Sequence, residues 1–434
     1  MNKVNIIGAG LAGCEAAWLL AKHGIEVTLF EQKPIKFSPA HSHGGFAELV
    51  CSNSLKAERV NSAAGLLKAE MSLLCSLTVE TALGCRVPAG GALAVDKGVF
   101  SEIITQKIRS NPLITVVDGE QTCIPQGITI IATGPLTEGG LAGEISAITG
   151  DYLSFYDAAA PIVQKSSVDF SSAFYGSRYD RGTNEEGDYI NCPMNKAEYE
   201  RFYSALVSAE CAIVRSFDKG AVYEGCMPIE VLAGRGADTM RYGPLKPVGL
   251  TDPRTEKRPY ANLQLRRENL GDTMYNLVGF QTNLKFPEQQ RVFSLIPALK
   301  NAEFVRYGVM HRNSFINSPR CLNTDSSLTA RPEVFMAGQL TGVEGYMESA
   351  AGGIYAALNV VRRLAGDPSF ALPPYTMMGA LMGYITDRSV TKFQPMGANF
   401  GLLPTLDEHI RDKQERYAAL AERSLSYIKL NINR

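Results

Sequence analysis

One short run of small residues, Gly8-Ala9-Gly10-Leu11-Ala12-Gly13, constrains this chain more than any other stretch. Val4 to Ile7 before it is apolar and β-branched and reads as a strand. The alanine-rich segment after it, through Ala21, reads as a helix that Gly24 ends, and Ile25 to Phe30 reads as a second strand leading straight into Glu31. In this context each glycine has a task. Gly8 permits the sharp turn, Gly10 lets backbone approach a pyrophosphate, and Gly13 lets helix and strand pack closely. The unpaired N–H groups at the start of the helix, around Ala9 to Ala12, face the phosphates. An acid at the end of the second strand accepts hydrogen bonds from ribose hydroxyls, which suits Glu31, eighteen residues after Gly13. Strand, glycines, helix and acid together predict a dinucleotide site on a Rossmann-type unit.

Two later segments narrow the choice of dinucleotide. Ile128 to Gly134 is a strand ending in Ala132-Thr133-Gly134, and Val334 to Gln339 is a strand ending in Gly338-Gln339 ahead of a small-residue helix. A Rossmann start joined to such late elements resembles flavoproteins of the glutathione-reductase type, in which the last strand and helix bring N–H groups to a flavin. That resemblance implies FAD, held by Gly8 to Gly13, Glu31, Thr133, Gly134, Gly338 and Gln339. From Asp157 to Phe304 the texture changes: aromatic and polar residues rise, Gly-Pro and Lys-Pro turns appear, and strands such as Tyr275 to Gln281 alternate with irregular stretches. The expected fold class is therefore α/β, a glutathione-reductase-like FAD domain with an inserted α+β substrate domain. The expected boundaries are 1–165 and 305–434 for the two parts of the FAD domain and 166–304 for the insert. At 434 residues the chain is long enough for two cores.

Composition removes several classes. Nine cysteines with no CxxC pair argue against a disulfide framework and a zinc site, and no metal is expected. The first strand begins almost at the first residue, leaving no space for a signal peptide, and no apolar run approaches the ~20 residues that span a bilayer. A cytoplasmic protein without membrane contact is expected. A net charge of −1 gives no global attraction for nucleic acid. A local patch exists: from Val231 to Arg267 eight basic residues face three acidic ones. Such runs are commonly plain solvated surface; as an RNA contact, Arg254, Lys257 and Arg258 are its candidates.

Seven stretches, namely Glu48 to Ser54, Val87 to Asp96, Phe155 to Val163, Asn191 to Met194, Glu224 to Glu230, Arg306 to Asn313 and Ala337 to Ala351, are together similar to the folate- and FAD-dependent tRNA (uracil-5-)-methyltransferase family, TrmFO. The larger GidA-type tRNA-modifying flavoproteins share the Gly-Gln-x-x-Gly and Gly-Tyr-x-Glu elements but carry a long extra C-terminal helical domain. The resemblance implies transfer of a methylene from methylenetetrahydrofolate to uridine C5 in tRNA, at a T-arm uridine, and its reduction to methyl. A methylene is two electrons more oxidised than a methyl, so a hydride donor is required; reduced FAD supplies it and NAD(P)H recharges the flavin. Uridine C5 is a poor nucleophile until a thiolate adds at C6. The motif Gly225-Cys226-Met227-Pro228 makes Cys226 that thiolate, and Cys51 the second catalytic thiol, near the flavin ring, as the group that removes the C5 proton. Tyr346 is a stacking candidate for folate. Asn283 and Phe286 stand where the family commonly has His and Trp, which singles out Asn283 as a folate-site departure. His41 and His311 are read as isolated histidines, more often structural than catalytic. The same chemistry on ribosomal RNA, a flavin reductase and a non-catalytic RNA-binding flavoprotein are the competing readings.

Overall fold

The glycine turn lies between the first strand, Lys3–Ile7, and the first helix, Leu11–Lys22, in a computed structural model that describes residues 3–180, 182, 187–212 and 227–431. Five strands form a sheet in the order Val334–Met336, Thr129–Ile131, Lys3–Ile7, Glu26–Glu31, Ile114–Asp118. All four pairings are parallel. Parallel strands end at a common edge, and in open sheets of this kind ligands bind outside the carboxyl ends. The late strand Val334–Met336 thus joins a sheet that the first thirty residues began, and the long helix after it, Tyr346–Ala365, packs on the first helix. Small residues make that packing close. A Cβ on Gly353 would lie 2.1 Å from the Ala12 carbonyl oxygen.

Buried carboxylates lock the surrounding helices. Glu70, on the helix Ala63–Leu73, accepts the N–H groups of Met377 and Met378 at 2.6 and 2.8 Å and the Ser424 hydroxyl at 2.5 Å. It satisfies the first donors of the helix Met377–Thr386 and ties in the last helix, Lys413–Asn431. Burial pushes its carboxyl up to about 7.

The second sheet is antiparallel, with the order Phe174–Gly176, Tyr189–Met194, Ala261–Arg267, Met274–Leu277, Ile162–Gln164, Phe304–Arg306. Its apolar face and the helices Lys196–Val207 and Phe286–Phe293 enclose a core of their own around Phe202, Leu263, Phe280 and Phe293. An antiparallel ribbon, Leu153–Ala158 with Met310–Phe315, carries the chain out to this sheet and back. The strand expected over Tyr275 to Gln281 stops at Leu277. Gly279 adopts φ +78° with Pro244 packed against it so closely that a Cβ would lie 2.5 Å from the Pro244 Cβ, and this turn ends the pairing. Among the described residues no helix is long and apolar enough to cross a membrane, and no group of three His, Cys, Asp or Glu side chains could hold a metal.

Candidate active site

A cavity of about 480 Å³ opens along the carboxyl ends of the parallel sheet and runs to the second sheet. Its walls include Gly8 to Ala12, Glu31, Thr133, Gly134, Gly338, Gln339, Cys51 and Tyr346, residues scattered over more than three hundred positions of sequence. The three glycines of the turn differ in what confines them. Gly8 has φ +97° and a Cβ there would meet the Ala132 carbonyl oxygen at 2.6 Å; a Cβ on Gly13 would lie 1.8 Å from the Gly8 oxygen. Both are demanded by the protein itself. Gly10 is not: the nearest protein atom to a Cβ there is 4.0 Å away, and its φ of −72° suits any residue. The space over Gly10 belongs to the cavity.

The donors around it are those an anion needs. Neither the first helix nor the helix Tyr346–Ala365 has a side chain capping its N-terminus, and both begin in the cavity wall, so their first N–H groups and positive dipole ends face it. Glu31 is buried, with Oε2 accepting the Ala9 N–H at 2.7 Å and Oε1 the Lys33 N–H at 2.9 Å, which fixes the carboxylate beside the turn. A dinucleotide's pyrophosphate and ribose fit these residues.

At the other end of the cavity lies a thiol. Cys51 sits in the irregular segment between Glu31 and the strand Ser54–Ala57, and Tyr346 Oη is 2.9 Å from its Sγ. The Arg306 guanidinium, from the edge strand of the second sheet, donates to the carbonyls of Val50 and Cys51 at 3.0 and 3.3 Å. Burial and the nearby Asp157 carboxylate push the Cys51 thiol up to about 12, against the Tyr346 hydrogen bond. Glu344 lines the same region and accepts from Gln339 Nε2 at 2.5 Å; burial and Asp157 push its carboxyl up to about 8.

The second sheet contributes a polar face. Alternation along Ala261–Arg267 puts Asn262, Gln264 and Arg266 on one side and Leu263 and Leu265 in the core. Asn191 Oδ1 accepts from Asn262 and Gln264 at 3.0 and 3.1 Å. Arg266, 8% exposed, donates to Asn53 Oδ1 at 2.9 Å and Ser52 Oγ at 2.8 Å and lines the cavity with Asn276. By sequence Arg266 falls within a basic surface patch; the structure buries it beside the thiol segment, and the alternation of Leu and polar residues was the available signal. His41 and His311 also line the cavity, and burial lowers the basicity of both, so each is held toward the neutral imidazole.

Asn283, Phe286 and the three basic residues stand apart from this cavity. Asn283 is buried outside it: its N–H donates to Glu230 Oε1 at 2.7 Å and its Nδ2 to the Ala212 carbonyl at 3.1 Å. Phe286 is half exposed and stacks on Tyr307 with ring centres 4.9 Å apart. Arg254, Lys257 and Arg258 are exposed on the inserted sheet's loop, where Arg254 is paired with Asp252 at 2.7 Å. Cys226 lies outside the described residues.

The model of the glucose inhibited division protein A family matches residues 3–368. A Listeria innocua protein named methylenetetrahydrofolate--tRNA-(uracil-5-)-methyltransferase TrmFO is 56% identical over 429 residues, 99% of this chain and 98% of its own. The chain belongs to the TrmFO family. An Acetivibrio thermocellus protein of the same name is 55% identical over 431 residues, again 99% of this chain and 98% of the relative. Among solved structures, Aquifex aeolicus GidA superposes with a TM-score of 0.70 at 15% identity, over 99% of this chain and 73% of that one. The likeness to GidA is one of fold, a parallel-sheet domain carrying an insert, and TrmFO relatives match this chain along nearly its whole length.

Proposed function

We propose that this chain methylates uracil C5 in tRNA, at a T-arm uridine, taking the carbon from methylenetetrahydrofolate with FAD as resident cofactor and NAD(P)H as reductant, in the cytoplasm. The observation that carries the reading is the joining, in one cavity, of a glycine turn with open space over Gly10 to a buried thiol at Cys51. Relatives named for this reaction at 55–56% identity support it. The turn, Glu31 and the two helix N-termini would hold FAD, with Thr133, Gly134, Gly338 and Gln339 along its length. When bound and reduced, FAD supplies the hydride that the methylene lacks.

The remaining steps fall to side chains. Cys226 adds as thiolate to uridine C6, making C5 a nucleophilic enolate carbon. C5 then bonds to the one-carbon unit. Cys51 as thiolate takes the C5 proton: the C5–H bond breaks, an S–H bond forms, and the freed pair makes a double bond from C5 to the new carbon as that carbon's bond to its carrier nitrogen breaks. Hydride added to that carbon pushes the pair back to restore the C5–C6 double bond as the Cys226 sulfur leaves C6. Arg266 and the uncapped helix N-termini supply positive potential to the anionic cofactor and substrate. Tyr346 offers a ring for the folate pterin. Arg254, Lys257 and Arg258 would meet RNA phosphates, and Asn283 acts at a distance by fixing the Glu230 segment rather than by stacking. The test is a tRNA carrying 5-fluorouridine, whose fluorine cannot leave as the proton does. The intact protein should form a covalent complex. Cys226→Ser should lose it while still binding FAD, and Cys51→Ser should keep it. A complex retained by Cys226→Ser refutes the assignment of the nucleophile.

A further inference from the structure

Tyr346 Oη lies within hydrogen-bond distance of three groups on one segment: the Cys51 N–H at 2.8 Å, the Ser52 N–H at 3.2 Å and the Cys51 Sγ at 2.9 Å. A phenol has one proton to give and an oxygen that accepts. The two amides can only donate, so they occupy the acceptor capacity of the oxygen. Its own proton is then left for the one acceptor among the three, the Cys51 sulfur. The opposite arrangement, with the thiol donating, crowds three hydrogens onto one oxygen and leaves the phenolic proton of a buried tyrosine unused.

We propose that Tyr346 is a positioning residue that donates its phenolic proton to Cys51 Sγ, holding the sulfur as an acceptor at the cavity wall and favouring its thiolate over the thiol. This rests on the reading that Cys51 accepts the C5 proton, and it gives the tyrosine a task separate from stacking on a pterin. The hydroxyl does the work, whereas a stacking role needs only the ring. The environment makes such help necessary. Burial, Asp157 from the strand Leu153–Ala158 and Glu344 ahead of the long helix all disfavour the thiolate, and Lys97, at the start of the helix Lys97–Arg109, favours it. The charge of Arg266, from the second sheet and hydrogen-bonded to the neighbouring Ser52, also acts on the thiol. Tyr346 combines a bond to the sulfur with bonds to the backbone on both sides of the Cα, so it sets the position of the sulfur as well as its charge.

Tyr346→Phe keeps the ring and removes the oxygen. Two measurements on the purified full chain separate the outcomes. In the first, Cys51 is alkylated with iodoacetamide across a pH series and the modified peptide followed by mass spectrometry, with exposed Cys75 and Cys211 as internal standards. A hydrogen bond to a charged group is equivalent to a shift of about one to two pH units. Cys51 in Tyr346→Phe should therefore label about tenfold or more slowly than wild type at each pH on the rising limb, with the standards unchanged. In the second, the rising limb of kcat against pH should move up by the same interval, with KM for folate kept because the ring remains. A tyrosine that merely packs would lower kcat or stability at every pH and leave the limb in place. Cys51 labelling that is unchanged or faster, or a limb that does not move, overturns the proposal. Labelling needs no substrate, so it reads the hydrogen bond by itself; a wild-type protein that makes no 5-methyluridine refutes the functional reading instead.

Discussion

Gly10 and Gly13 lie three residues apart in the same turn, yet substitution by alanine should harm them in opposite ways. At Gly10 the backbone angle is ordinary and a Cβ meets no protein atom nearer than 4.0 Å. Alanine there trims the freedom of the unfolded chain by about 0.4–1 kcal/mol and gives back a comparable amount at the N-cap, where glycine is preferred to alanine, so the stability of the cofactor-free protein should change by less than about 1 kcal/mol. The methyl instead enters the space where a pyrophosphate would sit. Displacing that group by even a fraction of an ångström costs one or two charge-assisted hydrogen bonds, about 1.5–3 kcal/mol each, which is roughly a tenfold or greater loss in FAD affinity. At Gly13 the Cβ would fall 1.8 Å from the Gly8 oxygen, deep inside contact distance with backbone that cannot swing away. Overpacking of that kind costs about 1–3 kcal/mol or more, beyond the ~1 kcal/mol that alanine gains in a helix. The assay is a pair of curves per variant: thermal melting of the cofactor-free protein, and FAD titration by flavin fluorescence. Gly10→Ala should melt like wild type and bind FAD poorly; Gly13→Ala should melt lower. A Gly10→Ala protein that binds FAD as wild type does would remove the turn from the cofactor site.

Two further results are expected. Neutralising Arg254, Lys257 and Arg258 together should weaken tRNA binding and lower the slope of log affinity against log salt by roughly one for each phosphate no longer neutralised; because Arg254 is already paired with Asp252, Lys257 and Arg258 should account for most of the change. Glu344, raised to about 8 in the fold from its ordinary value of 4.5, binds its proton more tightly folded than unfolded, so its contribution to stability is complete below about pH 4.5 and is lost as pH rises toward 8. Melting of Glu344→Gln without cofactor should accordingly depend less on pH between about 5 and 8 than that of wild type, and parallel curves would contradict the burial argument.

What the sequence could show depended on how local the signal was. The turn from Gly8 to Gly13 and the acid at Glu31 lie within one strand-helix-strand unit, where periodicity and glycine spacing determine the outcome. Val334–Met336 was readable as a strand, but its place beside Thr129–Ile131 depends on a crossover that no local pattern encodes. Gly279 cut a strand short because Pro244, distant in sequence, packs against it. Arg266 looked like one charge in a basic run; the alternation of leucine with polar residues along Ala261–Arg267 puts it on the face away from the core, but which residues meet that face, Asn53 and Ser52, is not written locally. The contact of Tyr346 with Cys51 spans 295 positions and left no trace in either neighbourhood.

The most direct test of the central claim follows the carbon. The protein, tRNA, NAD(P)H and methylenetetrahydrofolate deuterated at its methylene are incubated together, and the RNA is digested to nucleosides for mass spectrometry. The expected product is 5-methyluridine whose methyl keeps both deuteriums and gains one further hydrogen delivered as hydride through the reduced flavin, with the product absent from Cys226→Ser. NAD(P)H consumption with no deuterium reaching uridine would contradict the account and make the chain a flavin reductase.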